Sequence, residues 1–432
     1  VQPPTISADE AAALFGQRDS LGFGLGPANP HALLRALSLR DDFEDLTIGG
    51  ALLLGLFDLL AKPGVHYRCG FYGPVERLYK DKGADVQLVP AGFRQFAPVL
   101  ERFRPRVMAV QAAPPDAEGR LNLSLHLGAT RDELVAAGRD PDRLLLVEVN
   151  PRLPRTRALE GYDNTLPIDV ADFLVASDEP LVELPAPTVT DADERIAELA
   201  VGLVVEEATL QTGIGAIPSL VAQRLAARGP GRFGVHSEML TDGLMALHRA
   251  GAVTNDRKGQ FEGVSVTTFA LGSAALYEWL DDNAEVAFAP VSVVNDPDVI
   301  RRNRRMVSLN GALQVDLYGQ VVADAVDGRQ ISGVGGHEDF VSGADLDVAA
   351  KSLVCLRSTV EVQGARRSRI VPVLPAGSVI STPRHHTGTV VTEYGVAELA
   401  GRTVRERATS LAAIAHPDFR DELERAAARL DP

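Results

Sequence analysis

Cysteine is nearly absent from the 432 residues: only Cys69 and Cys355 occur, each inside an apolar or strand-like stretch. Neither has a partner at the spacing of a zinc or redox motif, which excludes a disulfide framework and points to buried, inert thiols in a reducing cytoplasm. Long hydrophobic runs are absent too. The longest, ALLLGLFDLLA at 51–61, is interrupted by Gly55 and Asp58, well short of the roughly 20 apolar residues a membrane-spanning helix requires. The opening VQPPTISADEAAALF has no basic segment leading into an apolar core, so no secretory signal is expected, and the protein is read as soluble. Positive charge is scarce: 43 Lys and Arg against 58 Asp and Glu give a formal charge of −15. That balance argues against nucleic acid or an anionic membrane as partner, and any anionic ligand must be met by a local basic patch.

What is present is an alternation. DLTIGG, DVQLVP, VMAVQA, LLLVEV and DFLVAS are short apolar runs separated by amphipathic stretches between Leu21 and Ser177. Runs apolar on both faces and spaced by helices predict a parallel sheet covered on both sides. The texture then changes at DEPLVELPAPTV, 178–189, whose three prolines read as a linker. The predicted domains are 1–187 and 188–432. The second is expected to begin with a helix after Thr190 and Asp191, with Ile196, Leu199, Ala200 and Leu203 on one stripe. GFGLGPANPHALLRAL and TGIGAIPSLVAQRL both read as strand, glycine turn and helix, so two related α/β domains are preferred to one barrel. From Met306 to Gly336, period-two apolar positions with glycines at the bends predict hairpins, and the second sheet is expected to be mixed.

Four constellations could carry chemistry. In GVHSEMLTDGLMAL, 234–247, a short apolar strand runs into polar residues and then a helix. Glu238 is then either a solvated glutamate in the first helical turn or a carboxylate at a strand's carboxyl end, where ligands bind in open α/β sheets. His236 and Glu238 form an HxE pair without a PCxxC companion, and His385 and His386, read as extended, diverge, so no metal is expected. SGVGGHEDF, 332–340, packs three glycines into four positions and is either a plain turn or a nest of N–H groups aimed at an anion. Arginines cluster at 301–305 (RRNRR), at Arg366, Arg367 and Arg369, and at Arg384, each a solvated face or a seat for phosphate.

SEMLTDG, NGALQVDLYGQVVAD, SGVGGHEDF, SRIVP, TGTVVTEYGVAEL and IAHPDF occur in an order and spacing that resembles the acetyl-CoA hydrolase/transferase family, most closely its 4-hydroxybutyrate CoA-transferase branch. FYGPVERLYKDKGADVQLVP, VQAAPPDAEGRLNLS and VEVNPRLPRT extend the resemblance into the first half, so that it spans about residues 20–420. The fold implied is a pair of CoA-transferase-like (NagB/RpiA-like) α/β domains with mixed, mainly parallel sheets and the active site at their interface.

The resemblance implies that Glu238 is the nucleophile, with Asn310 and the backbone of Gly335 or Gly336 holding the thioester oxygen. It implies coenzyme A contacts from Gly213, Gly215, Ser237, Gly333, Arg369, Arg384 and His385. Gln111, Pro114, Asn150 and His337 would line the carboxylic-acid pocket. The substrates implied are acyl-CoA and small carboxylic acids, with no permanently bound cofactor, no metal, and a homodimeric assembly. The family often reads GVGGQ where this chain has GVGGH, so His337 bears on acyl specificity. Two other readings stand beside transfer: hydrolysis of the thioester at the same site, and a non-catalytic sensor of acyl-CoA on the same fold.

Overall fold

The five apolar runs are all strands, and the computed structural model, which describes residues 2–430, shows why they had to be apolar on both faces. Together with Thr5–Ile6 (β1), Arg18–Leu25 (β2) and Val65–Cys69 (β4), they are Asp45–Ala51 (β3), Val86–Leu88 (β5), Val107–Ala112 (β6), Leu144–Val149 (β7) and Phe173–Ala176 (β8). These form one eight-stranded sheet in the order β1-β8-β7-β6-β2-β3-β4-β5, and every pairing in it is parallel. Parallel pairing forces each strand to return through a crossover, which is what the intervening helices supply. The central β6 is buried along its whole length, and Leu21, Phe23, Leu46, Ile48, Tyr67 and Val107 belong to one apolar cluster on the sheet.

The chain gathers into two compact units, Val1–Pro185 with Val266–Val293, and Ala186–Ser265 with Val294–Pro432. A single boundary at 187/188 does not contain the return of 266–293 to the first unit. The strand that begins the return, Ser265–Ala270, is buried along its whole length.

The second unit opens as expected on a helix, Asp191–Leu203 (α2; α1 is His31–Ser38 after β2). Thr190 caps it: its hydroxyl accepts from the Asp193 N–H while Asp193 reaches back to the Thr190 N–H, leaving fewer orphan donors in the first turn. The buried stripe is Asp193, Ile196, Ala197, Ala200 and Val201; Leu199 and Leu203 are only half-buried, so the apolar face is turned by one residue from the predicted one. Next come Thr209–Thr212 (β9), helix Ala216–Ala227 (α3), Gly234–Leu240 (β10), helix Asp242–Arg249 (α4), Met306–Gly311 (β11), helix His337–Asp345 (α5), Lys351–Cys355 (β12), Thr389–Thr392 (β13) and Gly395–Glu398 (β14).

In this unit the strands lie in the order β14-β13-β12-β11-β9-β10. The pairs from β10 through β13 are parallel and β13 with β14 is antiparallel, so the sheet is mixed. Besides the β13–β14 hairpin, antiparallel pairing occurs in short ribbons such as Gln314–Asp316 with Val321–Val322. Met306–Gly311, at the start of the stretch read as hairpins, is instead a central parallel strand. Among the described residues no helix is long and apolar enough to cross a membrane.

Candidate active site

Because β9, β10 and β11 run parallel, their carboxyl ends share one rim of the sheet, and Glu238 and Asn310 fall near it. Glu238 lies on β10, two residues inside the strand's end rather than at it. Its Oε2 accepts from Nδ2 of Asn295 at 2.6 Å, and the same nitrogen stands 3.2 Å from Oδ2 of Asp339. Glu238 keeps some exposure, yet burial pushes its carboxyl up to about 7, against the Asn295 hydrogen bond, which lowers it, and with the Asp339 charge, which raises it.

Gly336 stands against this carboxylate. A Cβ added there would lie 1.8 Å from Glu238 Oε2 and 2.3 Å from Asn295 Nδ2, so only glycine lets the backbone approach. Gly336 also caps α5, so the turn expected at SGVGG becomes a helix start aimed at Glu238. Gly335, at φ +55°, makes the turn, and Gly333 is buried beside it.

The first side chains of α5 are tied to the TPRHH segment. His337 Nε2 is 2.9 Å from Thr382 Oγ1, and Glu338 Oε1 is 2.5 Å from His386 Nδ1. Burial holds His337 down at about 4, so it is neutral at pH 7. Arg384 and His385 are exposed on the same segment, with the Arg384 guanidinium 5.9 Å from the Tyr318 ring centroid. His385 and His386 do not diverge: they occupy a turn and their rings pack at 4.3 Å. Among the described residues no group of three or more His, Cys, Asp or Glu side chains could hold a metal ion.

Asn310 is the penultimate residue of β11 and donates to Gln211 Oε1 on β9 at 3.3 Å. With β9 between β11 and β10, about 10 Å of strand spacing separates its backbone from that of Glu238. Asn310 lines a cavity of about 250 Å³ with Gly215, Pro218, Cys355, Arg357 and Arg369. The amino end of α3 opens into the same space through Ala216 and Ile217. Gly215, at φ +125°, adopts a backbone conformation closed to other residues, and Gly213 precedes it, a Cβ there meeting Leu309 O at 4.0 Å. Burial and the neighbouring Arg357 lower the Arg369 guanidinium from its usual range. Arg357 makes two bonds to Asp193, at 2.9 and 2.7 Å. A helix start and two guanidiniums around one cavity suit an anion.

Ser237 and the arginines at 301–305 stand apart from Glu238 in burial and position. Ser237 is fully buried, and its hydroxyl faces Met239 O and Thr212 O; alternation along the strand sends it to the opposite face from Glu238, so it offers no contact to a ligand beside that carboxylate. The arginines at 301–305 precede β11 and therefore sit at the amino end of the sheet, away from the rim. Arg301 pairs with Asp298 and Arg305 lies near Glu207. Arg366 pairs with Asp418 on an exposed ribbon. In the first unit, Gln111, the penultimate residue of β6, lies near Asn150, just past β7: Asn150 donates to Gln111 Oε1 at 3.1 Å, and Gln111 donates to Asn29 O at 2.6 Å. Pro114 is apart from this pair, its carbonyl held by Arg155. Both cysteines are buried, and burial pushes the Cys355 thiol up to about 12.

Asn295, Asp339, Gln211, Arg357 and Asp193 were not singled out by the sequence reading. Asp193 could be read as a capping acid; the others carry no local signal.

A carboxylate two residues inside a strand's end, pressed against a glycine-opened helix start, and a cavity suited to an anion on the same rim of the sheet make this the candidate active site. The chain belongs to the acetyl-CoA hydrolase/transferase family of enzymes. A model of the family's C-terminal domain matches residues 272–427. The chain is 38% identical over 425 residues to the 4-hydroxybutyrate coenzyme A transferase of Clostridium kluyveri, covering 97% of this chain and 96% of that one. It is 35% identical over 426 residues to the succinyl-CoA:cyclohexane-1-carboxylate CoA transferase of Geobacter metallireducens, covering 98% and 94%. The crystal structure of RipA from Yersinia pestis superposes with a TM-score of 0.87 at 32% identity, covering 99% of this chain and 97% of that one.

Proposed function

We propose that the protein transfers coenzyme A from an acyl-CoA to a small carboxylic acid, 4-hydroxybutyrate or a similar monocarboxylate, by a ping-pong route through Glu238. The observation that carries this reading is the Glu238 carboxylate pressed against Gly336 and Asn295 on the rim of the sheet. An oxygen of Glu238 attacks the thioester carbonyl, the C–S bond breaks, and CoA thiolate leaves an acyl-glutamyl anhydride. The thiolate then attacks the glutamyl carbonyl, expelling the first acid and leaving a glutamyl-CoA thioester. A second carboxylate reverses the two steps and departs as the new acyl-CoA, so thioester energy is conserved.

A carboxylate is a weak nucleophile, and the site compensates by position. Fixing it against the carbonyl offsets roughly 7–11 kcal/mol of barrier. Asn310 and the Gly336 N–H are the donors assigned to the developing oxyanion, and Arg369, Gly215 and the start of α3 are assigned to CoA phosphate or pantetheine oxygens. Arg384 and His385, both exposed, are assigned to the same ligand.

Hydrolysis is disfavoured by the two histidines that would activate water. His236 is fully buried, held down at about 3 by burial, with Nε2 on Val294 O at 2.7 Å, and His337 is engaged by Thr382. The test uses radiolabelled acyl-CoA with no acceptor. Enzyme should accumulate a glutamyl-CoA adduct that borohydride reduces at Glu238, and CoA release should be slow until an acid is added. Glu238→Gln should abolish both adduct and exchange. Rapid CoA release without acceptor, with no exchange when acetate or 4-hydroxybutyrate is supplied, would make the protein a hydrolase.

A further inference from the structure

Two carboxylates converge on one buried amide. Asn295 is fully buried and places Nδ2 2.6 Å from Glu238 Oε2 and 3.2 Å from Asp339 Oδ2. Ionised carboxylates only accept, so the orientation of the amide is decided by chemistry: turning it over would set its oxygen against both. The same orientation leaves Asn295 Oδ1 buried without a hydrogen-bond partner, a cost of about 1–3 kcal/mol that a purely structural amide would avoid. Space around the group is closed, since the Gly336 backbone abuts both Glu238 Oε2 and Asn295 Nδ2. Asp339, itself buried, is carried by the third residue of α5, the helix that Gly336 caps.

We infer that Asn295 and Asp339 act as a positioning pair for the Glu238 nucleophile: the amide holds the carboxylate in its attacking orientation, and the Asp339 charge beside the same amide keeps it basic. The inference rests on Glu238 being the nucleophile. The two residues act in opposite senses, the Asn295 hydrogen bond favouring the ionised form of Glu238 and the Asp339 charge disfavouring it. A more basic oxygen attacks faster once ionised, the same trade known for thiolates.

Other charged groups nearby do not take this role. His236, two residues earlier on the same strand face, is kept neutral by burial. Lys258, buried near it, has its Nζ on Val264 O. Glu338, the neighbour of Asp339 on α5, is turned to His386.

The test follows adduct formation at Glu238 from acetyl-CoA, trapped with borohydride and located by mass spectrometry, between pH 5.5 and 9. The parent, Asn295→Ala, the isosteric Asn295→Asp and Asp339→Asn are compared. In the parent the rate should fall on the acid side of pH 7, where Glu238 is protonated. Asn295→Ala and Asn295→Asp should move that limb up, by about one unit, and lower the alkaline plateau at least tenfold. Asp339→Asn should move it down by about one unit and lower the plateau severalfold. Substrate ionisation is common to all variants and cancels in the comparison. Limbs that stay put, or that move together in one direction, would overturn the pairing. Absence of any adduct at Glu238 in the parent would instead overturn the nucleophile assignment, so the two failures are distinguishable. Should the alanine variant fail to fold, Asn295→Asp and Asp339→Asn still decide the sign.

Discussion

The Cα of Gly336 faces Glu238 so closely that a methyl group there would overlap Oε2 at 1.8 Å. The φ of Gly336 is −96°, ordinary for any residue, so the conflict is with the side chains of Glu238 and Asn295 and not with the backbone. Gly336→Ala is expected to lower kcat by at least a hundredfold by displacing the carboxylate, while CoA affinity changes little. Steady-state kinetics beside thermal unfolding would check this; a kcat within tenfold of the parent would show that Glu238 tolerates displacement.

Asn310 is assigned an oxyanion role, and removal of one such donor costs about a hundredfold or more in rate. Asn310→Ala should therefore lower kcat by that factor with CoA binding unchanged. Weaker binding at an unchanged saturated rate would make Asn310 a ligand anchor.

Asp193 joins helix capping to the cavity wall. Burial raises its carboxyl, but hydrogen bonds from Arg357 and Thr190 outweigh this and hold it below the usual range. Its contribution is present at neutral pH and disappears as pH falls through the carboxylate range. Asp193→Ala is expected to cost about 2 kcal/mol in denaturant unfolding at pH 7 through the lost cap and ion pair. Arg369→Ala, by contrast, should raise the KM for CoA at least tenfold and leave unfolding unchanged.

His236 supplies an acid-sensitive element. It is fully buried and held at about 3, against 6.5 for an ordinary histidine. Between those values the unfolded chain binds a proton that the folded one refuses, so stability is lost as pH falls below 6.5. At pH 5 the loss from this group is about 2 kcal/mol. His236→Gln should shrink the difference in unfolding free energy between pH 7 and pH 5 by that amount; an unchanged difference would show that the imidazole is protonated in the fold.

Much of the scaffold was written locally. DLTIGG and VMAVQA declare buried strands by carrying apolar residues on both faces, and Thr190 with Asp191 marks a helix start. Glu238 was ambiguous by itself and was resolved only by the order of the other motifs. Asn295 was not legible because its partner lies 57 positions away and its neighbours, VVNDPD, look like a turn. The pairing of Arg357 with Asp193 spans 164 positions. The arginines at 301–305 stayed open between a solvated face and a phosphate seat for a different reason: a cluster in sequence does not say which end of a strand it precedes, and here it is the end away from Glu238.

The parallel register of β9 with β10 and β11 also has an evolutionary consequence. The strands are locked by pairs such as Thr209 with Gly234 and Thr209 with Met306, so the height of Glu238 is set by backbone geometry. On the proposed reading, the side chains that meet an acyl group include those of the first turn of α5 and of the loops beyond the strands. Residue 337 and those loops are therefore free to change without disturbing the register. Relatives built on this plan can exchange one organic acid for another while the bond-forming step stays the same.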